Sequence, residues 1–403
     1  MQYTHISNPA RLGHEAKSAA AMCIKNLSQW AMAVEEICTW PEYSPQPLRT
    51  LPGFAQKVGV DQLFVKDESK RFGSDIGSFK ALGAPYAVYM ILAEEVYAKT
   101  GVRPSSAELR TSKYHDITRN VVVCVATDGN QGRGLAYGAQ AFGCRCVDYI
   151  HGHVSDGRAD RMKNLGAVVI RVDGEYEASV ARAKEDARMN GWYFVSSTSW
   201  SNFDNDVPQH VMNAYMVVLD EALSMIPAVD KVTHVFVCGG VGSIAAAIFQ
   251  GFYKHVCEIQ KSSAASATVT MPRFIVVEPS EADCLLQSAK SQEARESEGS
   301  LRTLMAGLAS VPDSVAVDGM KALAYGEEGD IPVVCGESSA ASMGIMLGST
   351  TDPSLREKLG LNSSSQVVLF GLEGATDPEI YESLVGKSSQ AVFEAQDGFV
   401  VRD

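Results

Sequence analysis

Short runs of β-branched and apolar residues alternate along this chain with longer stretches whose apolar positions recur every three to four residues. The runs QLFVKDE (62–68), NVVVCVAT (120–127), CRCVDYIH (144–151), AVVIRVD (167–173), YFVSS (193–197), THVFVCGG (233–240), RFIVVEP (273–279) and QVVLFGL (366–372) predict strands. Several are apolar nearly throughout, as strands covered on both faces are. Between them, 78–100, 132–143, 178–191, 207–226 and 243–256 carry the helical pattern. This alternation predicts an α/β fold with parallel sheets flanked by helices. The polar stretches 104–116, 261–270 and 288–300 read as loops or insertions. No repeat of fixed period is present.

Composition narrows the class without naming any chemistry. A chain of 403 residues, 46% hydrophobic and 21% charged, is a folded globular protein of two to three domains or one two-lobed unit. Lys+Arg 35 against Asp+Glu 48 gives a net charge of −13, which argues against nucleic acid and anionic membrane as main partners. No apolar run reaches the roughly 18 residues of a membrane span, and the first residues lack the apolar core of a secretory signal. The nine cysteines are odd in number, scattered, and set in apolar strings such as VVVCVATD and VFVCGG. Buried free thiols in a reducing compartment have that distribution, so the predicted location is cytoplasmic. The C-R-C at 144–146 and H-G-H at 151–153 lack the ligand spacing of a metal site, and none is predicted.

Three stretches carry chemistry. In KDESKRFGSDIGSFKALG a strand ends at Asp67 and Glu68, a polar loop with Gly73 and Gly77 follows, and Ser78 can cap a helix that begins near Lys80. Most lysines lie on solvated helix faces. Lys80 differs in being flanked by Phe79, Ala81, Leu82 and Gly83, where an amine can be desolvated and freed as nucleophile and base. In ATDGNQGRGLAYGAQAFG (126–143) a strand passes through Asp128, Gly129 and Asn130 into a helix. That junction presents backbone N–H groups and a side-chain amide to an anion, although Asp, Gly and Asn are also ordinary turn residues. In FVCGGVGSIAAAIFQGF (236–252) the backbone of Gly239, Gly240, Val241 and Gly242, with the Ser243 hydroxyl, can wrap a phosphate at a helix N-terminus. Gly240, Gly242 and Ala245 also satisfy a dinucleotide fingerprint, with Glu278 as the acidic residue on the next strand. Glu278 stands farther along than the roughly 20 residues that fingerprint expects.

A lysine of this kind early in the chain, an asparagine loop after it and a glycine phosphate loop farther on together resemble the fold-type II pyridoxal-phosphate enzymes. Within that family the likeness is strongest to the diaminopropionate ammonia-lyases. It rests on KDESKRFGSDIGSFKALG, ATDGNQGRG, RADRMKNLGAVVIRVDGEY, CGGVGSIAAAI, TLMAGLAS, ESSAASMG and LEGATDP, and spans about residues 40 to 385. The resemblance implies that Lys80, preceded by Phe79, holds pyridoxal 5'-phosphate as a Schiff base and moves the proton at the substrate Cα. Asn130 would hydrogen-bond the cofactor's phenolic oxygen, and Gly239, Gly240, Val241, Gly242 and Ser243 its phosphate. Asp128, with Gly129 beside it, would face the substrate and serve as acid and base. The reaction implied is α,β-elimination of ammonia from 2,3-diaminopropionate or a related β-substituted amino acid, giving a 2-oxo acid and ammonia. A large lobe of 1–84 and 206–403, a small lobe of 85–205 with the asparagine loop, a cofactor held between them and a homodimer are implied as well.

Three positions depart from the family pattern. Gln131 stands where the ammonia-lyases have His. Ser196-Ser197-Thr198-Ser199-Trp200 replaces Q-D-T-A-W, so that Ser197 takes the place of a second acid near the substrate. Gly371 and Leu372 follow Phe370 where a hydroxyl residue is usual, which leaves Thr376 as the candidate partner of the pyridine nitrogen. The readings kept beside the ammonia-lyase are a serine/threonine-type dehydratase, a β-replacement synthase, an NAD(P)-dependent dehydrogenase and a catalytically silent cofactor-binding protein.

Overall fold

The computed structural model describes residues 3–7, 27–127, 129–196, 206–262, 269–291 and 304–399. They form an α/β structure with two sheets, one in each of two compact units. One unit contains Pro45–Gly77, Val218–Asp403 and the described part of Met1–Ser28; the other contains Gln29–Ser44 and Ser78–Val217. Against the expected division at 84/85 and 205/206, the segments 29–44, 78–84 and 206–217 lie with the second unit.

The strands are β1 (Thr4–Ser7), β2 (Leu48–Thr50), β3 (Gln62–Asp67), β4 (Val122–Ala126), β5 (Arg145–His151), β6 (Val168–Val172), β7 (Tyr193–Phe194), β8 (His234–Cys238), β9 (Arg273–Pro279), β10 (Met305–Val311) and β11 (Gln366–Gly371). The first unit holds a seven-stranded sheet in the order β1-β10-β9-β8-β11-β3-β2. Its five inner strands are parallel, while the edge strands β1 and β2 run antiparallel. Antiparallel edges on a parallel sheet were not expected from the sequence. The carboxyl ends of β3, β11, β8 and β9 therefore lie side by side, the place where open α/β sheets gather ligand-binding loops. Sheet residues Leu63, Val65, Phe236, Ile275, Val367 and Leu369 pack with Met320, Leu323, Met343 and Met346 of two helices, Asp313–Tyr325 and Glu337–Gly348. These helices approach to backbone contact: a Cβ on Gly319 would lie 2.0 Å from the Ala340 carbonyl oxygen, and one on Gly344 2.0 Å from that of Val315.

The second unit holds a four-stranded, wholly parallel sheet in the order β6-β5-β4-β7. Val122, Cys124, Val147, Tyr149 and Phe194 of this sheet pack against Ala183 and Ala187 of the helix Tyr176–Asn190. Two expectations change here. The polar stretch 104–116 is not a plain loop: Ser105 and Glu108 form a reciprocal capping box on Ser106–Leu109, and a short helix His115–Thr118 follows. The helix expected over 207–226 is two, Asp206–Ala214 and Met216–Met225, parted at Tyr215. The stretches 261–270 and 288–300 lie largely outside the described residues. Among the described residues, no helix is long and apolar enough to cross a membrane.

Candidate active site

Lys80 is the first residue of the 21-residue helix Lys80–Thr100 in the second unit. Leu82 N–H donates to the Phe79 carbonyl at 2.9 Å and Ala81 N–H to that of Ser78 at 3.0 Å, so the first turn is closed tightly around the lysine. Phe79 is buried and packs against Tyr215 with the rings tilted by 59° and their centroids 4.8 Å apart, while Lys80 Nζ lies 6.0 Å from the Phe79 centroid. Lys80 itself is half-buried, with its amine at the edge of an aromatic wall. Tyr215, where the expected helix is interrupted, packs behind Phe79.

Asn130 opens the helix Asn130–Phe142, whose small residues let it lie on the lysine helix. A Cβ on Gly134 would sit 2.8 Å from the Lys80 carbonyl oxygen, and one on Gly138 2.6 Å from Pro85 Cα. Lys80 and Asn130 are thus brought together within one unit by glycines at close approach. Asn130 and Gln131 are buried, and Arg133 Nη1 donates to Asn130 Oδ1 at 3.4 Å. Both amide atoms of Gln131 are buried with no hydrogen-bond partner. Gly129 precedes this helix with open space where a Cβ would stand. Asp128 and Ser197 fall outside the described residues.

The other candidate residues belong to the first unit. β8 ends at Cys238, a turn of Gly239–Gly242 follows, and Ser243 begins the helix Ser243–Ser262. Gly240 and Gly242 have φ of 61° and 86°, the left-handed region that glycine enters without strain. Gly240 is exposed, and an added Cβ there would meet nothing within 4 Å. The turn therefore leaves unobstructed room at the N-terminus of a 20-residue helix, the feature that attracts phosphate. Thr376 is half-buried beyond the end of β11, its N–H donating to the Gly374 carbonyl at 3.0 Å.

The loop that leaves β3 toward Lys80 is anchored by four buried charges. Lys66 Nζ donates to Glu68 at 2.6 Å and to Glu221 at 2.8 Å. The Arg71 guanidinium donates to Glu68 at 2.7 and 3.0 Å and to Glu221 at 3.0 and 2.7 Å. Burial alone would raise the Glu68 carboxyl, but Arg71 and then Lys66 outweigh it and hold it down at about 2. Next to this anchor Phe72 takes a φ of 54°, the one non-glycine residue with positive φ among those described. Such a conformation costs about 1–3 kcal/mol and persists only where the surroundings fix it. Gly77 completes the loop, its carbonyl accepting from Gly374 N–H at 2.8 Å.

Residues 39–371 match the family model described as "Pyridoxal-phosphate dependent enzyme". The chain belongs to that family. Among curated members, the diaminopropionate ammonia-lyase of Escherichia coli K12 is 32% identical over 374 residues, 87% of this chain and 89% of that protein. The enzyme of the same name from Salmonella typhimurium is 31% identical over 379 residues, 87% of this chain and 90% of that one. The crystal structure of the Escherichia coli diaminopropionate ammonia-lyase in complex with D-serine has a TM-score of 0.81 at 29% identity, over 97% of this chain and 98% of that one.

The residues present suit the cofactor of a pyridoxal-phosphate enzyme. The open, left-handed Gly240 at a helix N-terminus suits its phosphate, and a half-buried amine against an aromatic wall suits its carbonyl carbon. The dinucleotide reading of Gly240, Gly242 and Ala245 is set aside by the family. It also fails on geometry, because Glu278 is wholly buried and its carboxyl accepts from Leu285 and Leu286 N–H instead of being offered to a ribose. Sequence reasoning did not find the Lys66–Glu68–Arg71–Glu221 cluster. The charged string KDESKR was its only local signal, and Glu221 lies 155 residues from Lys66.

Proposed function

We propose that this chain catalyses the α,β-elimination of ammonia from 2,3-diaminopropionate or a related β-substituted amino acid, releasing a 2-oxo acid. The observation that carries the reading is the joining of Lys80 and Asn130 by the Gly134 and Gly138 contacts, in a chain whose relatives of that activity match it over most of their length. Lys80 is the residue for the cofactor's carbonyl carbon, Asn130 for its ring oxygen, and the Gly239–Ser243 N–H groups with the Ser243 hydroxyl for its phosphate. Thr376 is the candidate partner of its pyridine nitrogen. When bound, the cofactor supplies a sink for the charge left on the substrate Cα.

The protein's own work is proton handling and orientation. The Lys80 amine would be the base that takes the proton from the substrate Cα. Its partial burial keeps bulk water from competing for that proton. The leaving ammonia needs a proton at its nitrogen, and Asp128 is assigned that transfer, with Gly129 and Ser197 bordering the substrate. A homodimeric state and a cytoplasmic location complete the reading. Light scattering of the purified protein checks the dimer.

The test is product analysis with diaminopropionate and Asp128→Asn. The wild type should release oxo acid, while the variant should bind the substrate and turn it over at least about a hundredfold more slowly, the usual contribution of one positioned acid or base. Equal rates would remove Asp128 from the mechanism. The D-serine complex of the Escherichia coli relative favours a second reading, elimination of water from serine. A dehydratase would release one ammonia for each oxo acid from serine and leave diaminopropionate untouched. A bound cofactor with no turnover of either compound would mark a silent protein.

A further inference from the structure

β9 ends in a carboxyl group that the elimination chemistry does not use. Cys238 of β8 pairs with Val277 of β9, so Glu278 stands one strand away from the turn that follows β8. Its oxygens accept from Leu285 N–H at 3.2 Å and Leu286 N–H at 3.0 Å, two of the orphan donors at the start of the helix Cys284–Ser291. On its other side is Gly239, where an added Cβ would lie 2.5 Å from Glu278 Cγ and 2.6 Å from Oε1. The Cys284 thiol donates to the Gly240 carbonyl at 3.0 Å and lies 3.8 Å from Glu278 Oε1. The first two glycines of the turn are therefore braced from beneath and from the side by residues of the neighbouring strand and helix.

A helix cap alone would not need this arrangement. Ser or Asp at the N-cap satisfies the same donors from the surface, without the cost of burying a carboxyl group. The close approach to Gly239 ties the carboxyl to the turn as well as to the helix. We infer that Glu278, assisted by Cys284, is a positioning residue that holds the Gly239–Ser243 N–H groups in the arrangement that receives a phosphate group. This rests on the reading of that turn under the proposed function.

The electrostatics support the same role. Burial pushes the Glu278 carboxyl up to about 7, while the Leu286 and Leu285 N–H groups pull it the other way. The charged or titratable groups that face it are the Asp283 carboxylate, which raises it further, and the Cys284 thiol. A neutral carboxyl leaves the field at the turn to the N–H groups. Ionised, it would set a negative charge against Gly239, where it would oppose an anion at the turn.

The experiment titrates the full-length protein, stripped of cofactor, with pyridoxal 5'-phosphate and separately with pyridoxal, which lacks the phosphate. The visible band of the lysine-bound compound is the readout, and the wild type is compared with Glu278→Gln and Glu278→Ala from pH 6 to 8.5. Glu278→Ala should weaken the phosphorylated compound by roughly 10-fold or more, the size usual when an outer-shell partner is removed, and leave pyridoxal unchanged. Glu278→Gln keeps the shape of the side chain without its charge; relative to it, the wild type should lose affinity for the phosphorylated compound as pH rises through about 7. Equal losses for both compounds, or unchanged affinity in both variants, would overturn the inference. Failure of the wild type to take up the phosphorylated compound would overturn the phosphate reading of the turn and this inference with it.

Discussion

Replacing Glu221 with Gln should be among the most damaging isosteric changes in the first unit. The side chain accepts from Lys66 at 2.8 Å, from Arg71 at 3.0 and 2.7 Å, and from the Gln46 N–H at 2.9 Å. Lys66, Glu68 and Arg71 are wholly buried, and two cations face two carboxylates. Glu221→Gln keeps the volume but leaves both cations sharing Glu68 alone, one positive charge in excess away from water. Breaking a buried pair in this way costs about 3–5 kcal/mol, against a total stability of roughly 5–15 kcal/mol for a domain. Urea unfolding followed by circular dichroism should show the loss. The transition of the unit that holds this cluster must be read separately, because a chain with two units need not unfold in one step. Adding Lys66→Met restores neutrality, so the double variant should be less destabilised than the sum of the two singles. Acid should act through the same cluster. Glu68 is held at about 2, below its ordinary value, so its stabilisation is full above that ordinary value and is lost as pH falls toward 2. A Glu221→Gln cost below about 1 kcal/mol, the range of exposed pairs, or strict additivity in the double variant, would refute the reasoning.

Gly134→Ala should drive a methyl group to 2.8 Å from the Lys80 carbonyl oxygen. It should cost about 1–3 kcal/mol and weaken the visible band of the lysine-bound cofactor, which absorbance and thermal melts check together. Gly344→Ala, with its Cβ 2.0 Å from the Val315 carbonyl oxygen, should lower the melting temperature with much less effect on the cofactor band. Glu278 is raised to about 7, so the protein should lose up to roughly 3 kcal/mol of stability as pH climbs from the ordinary carboxylate value through 7. Glu278→Gln should abolish that slope, as denaturant titrations from pH 5 to 8 would show. Lys80→Ala should remove the visible band and the turnover while leaving the circular dichroism intact.

The strands that were legible are those whose apolar runs are buried on both faces, such as VVCVA and HVFVC. β10, the sequence MAGLASV, is as buried as they are but is built of Ala, Gly and Ser, residues that carry little strand signal. β2 is only three residues long, too short for any periodicity to register. The interruption at Tyr215 was invisible because its apolar neighbours continue the helical pattern on both sides. At the site, Lys80, Asn130 and Gly239–Ser243 could be picked out because each lies where a loop or turn meets a helix, a junction with a local signature in Gly, Ser and Asn. The contact of Glu278 with Gly239 had no such signature, since it depends on β8 and β9 being parallel neighbours in one register. The Glu221 anchor was hidden for the same reason, its partners being far away in the chain.

The most direct test of the central claim is the ratio of ammonia to oxo acid released by the purified, cofactor-loaded protein from 2,3-diaminopropionate, with both enantiomers supplied in turn. Elimination followed by hydrolysis predicts two ammonia molecules for each oxo acid from at least one enantiomer. No oxo acid from either enantiomer, with the cofactor bound and serine turned over in their place, would contradict it.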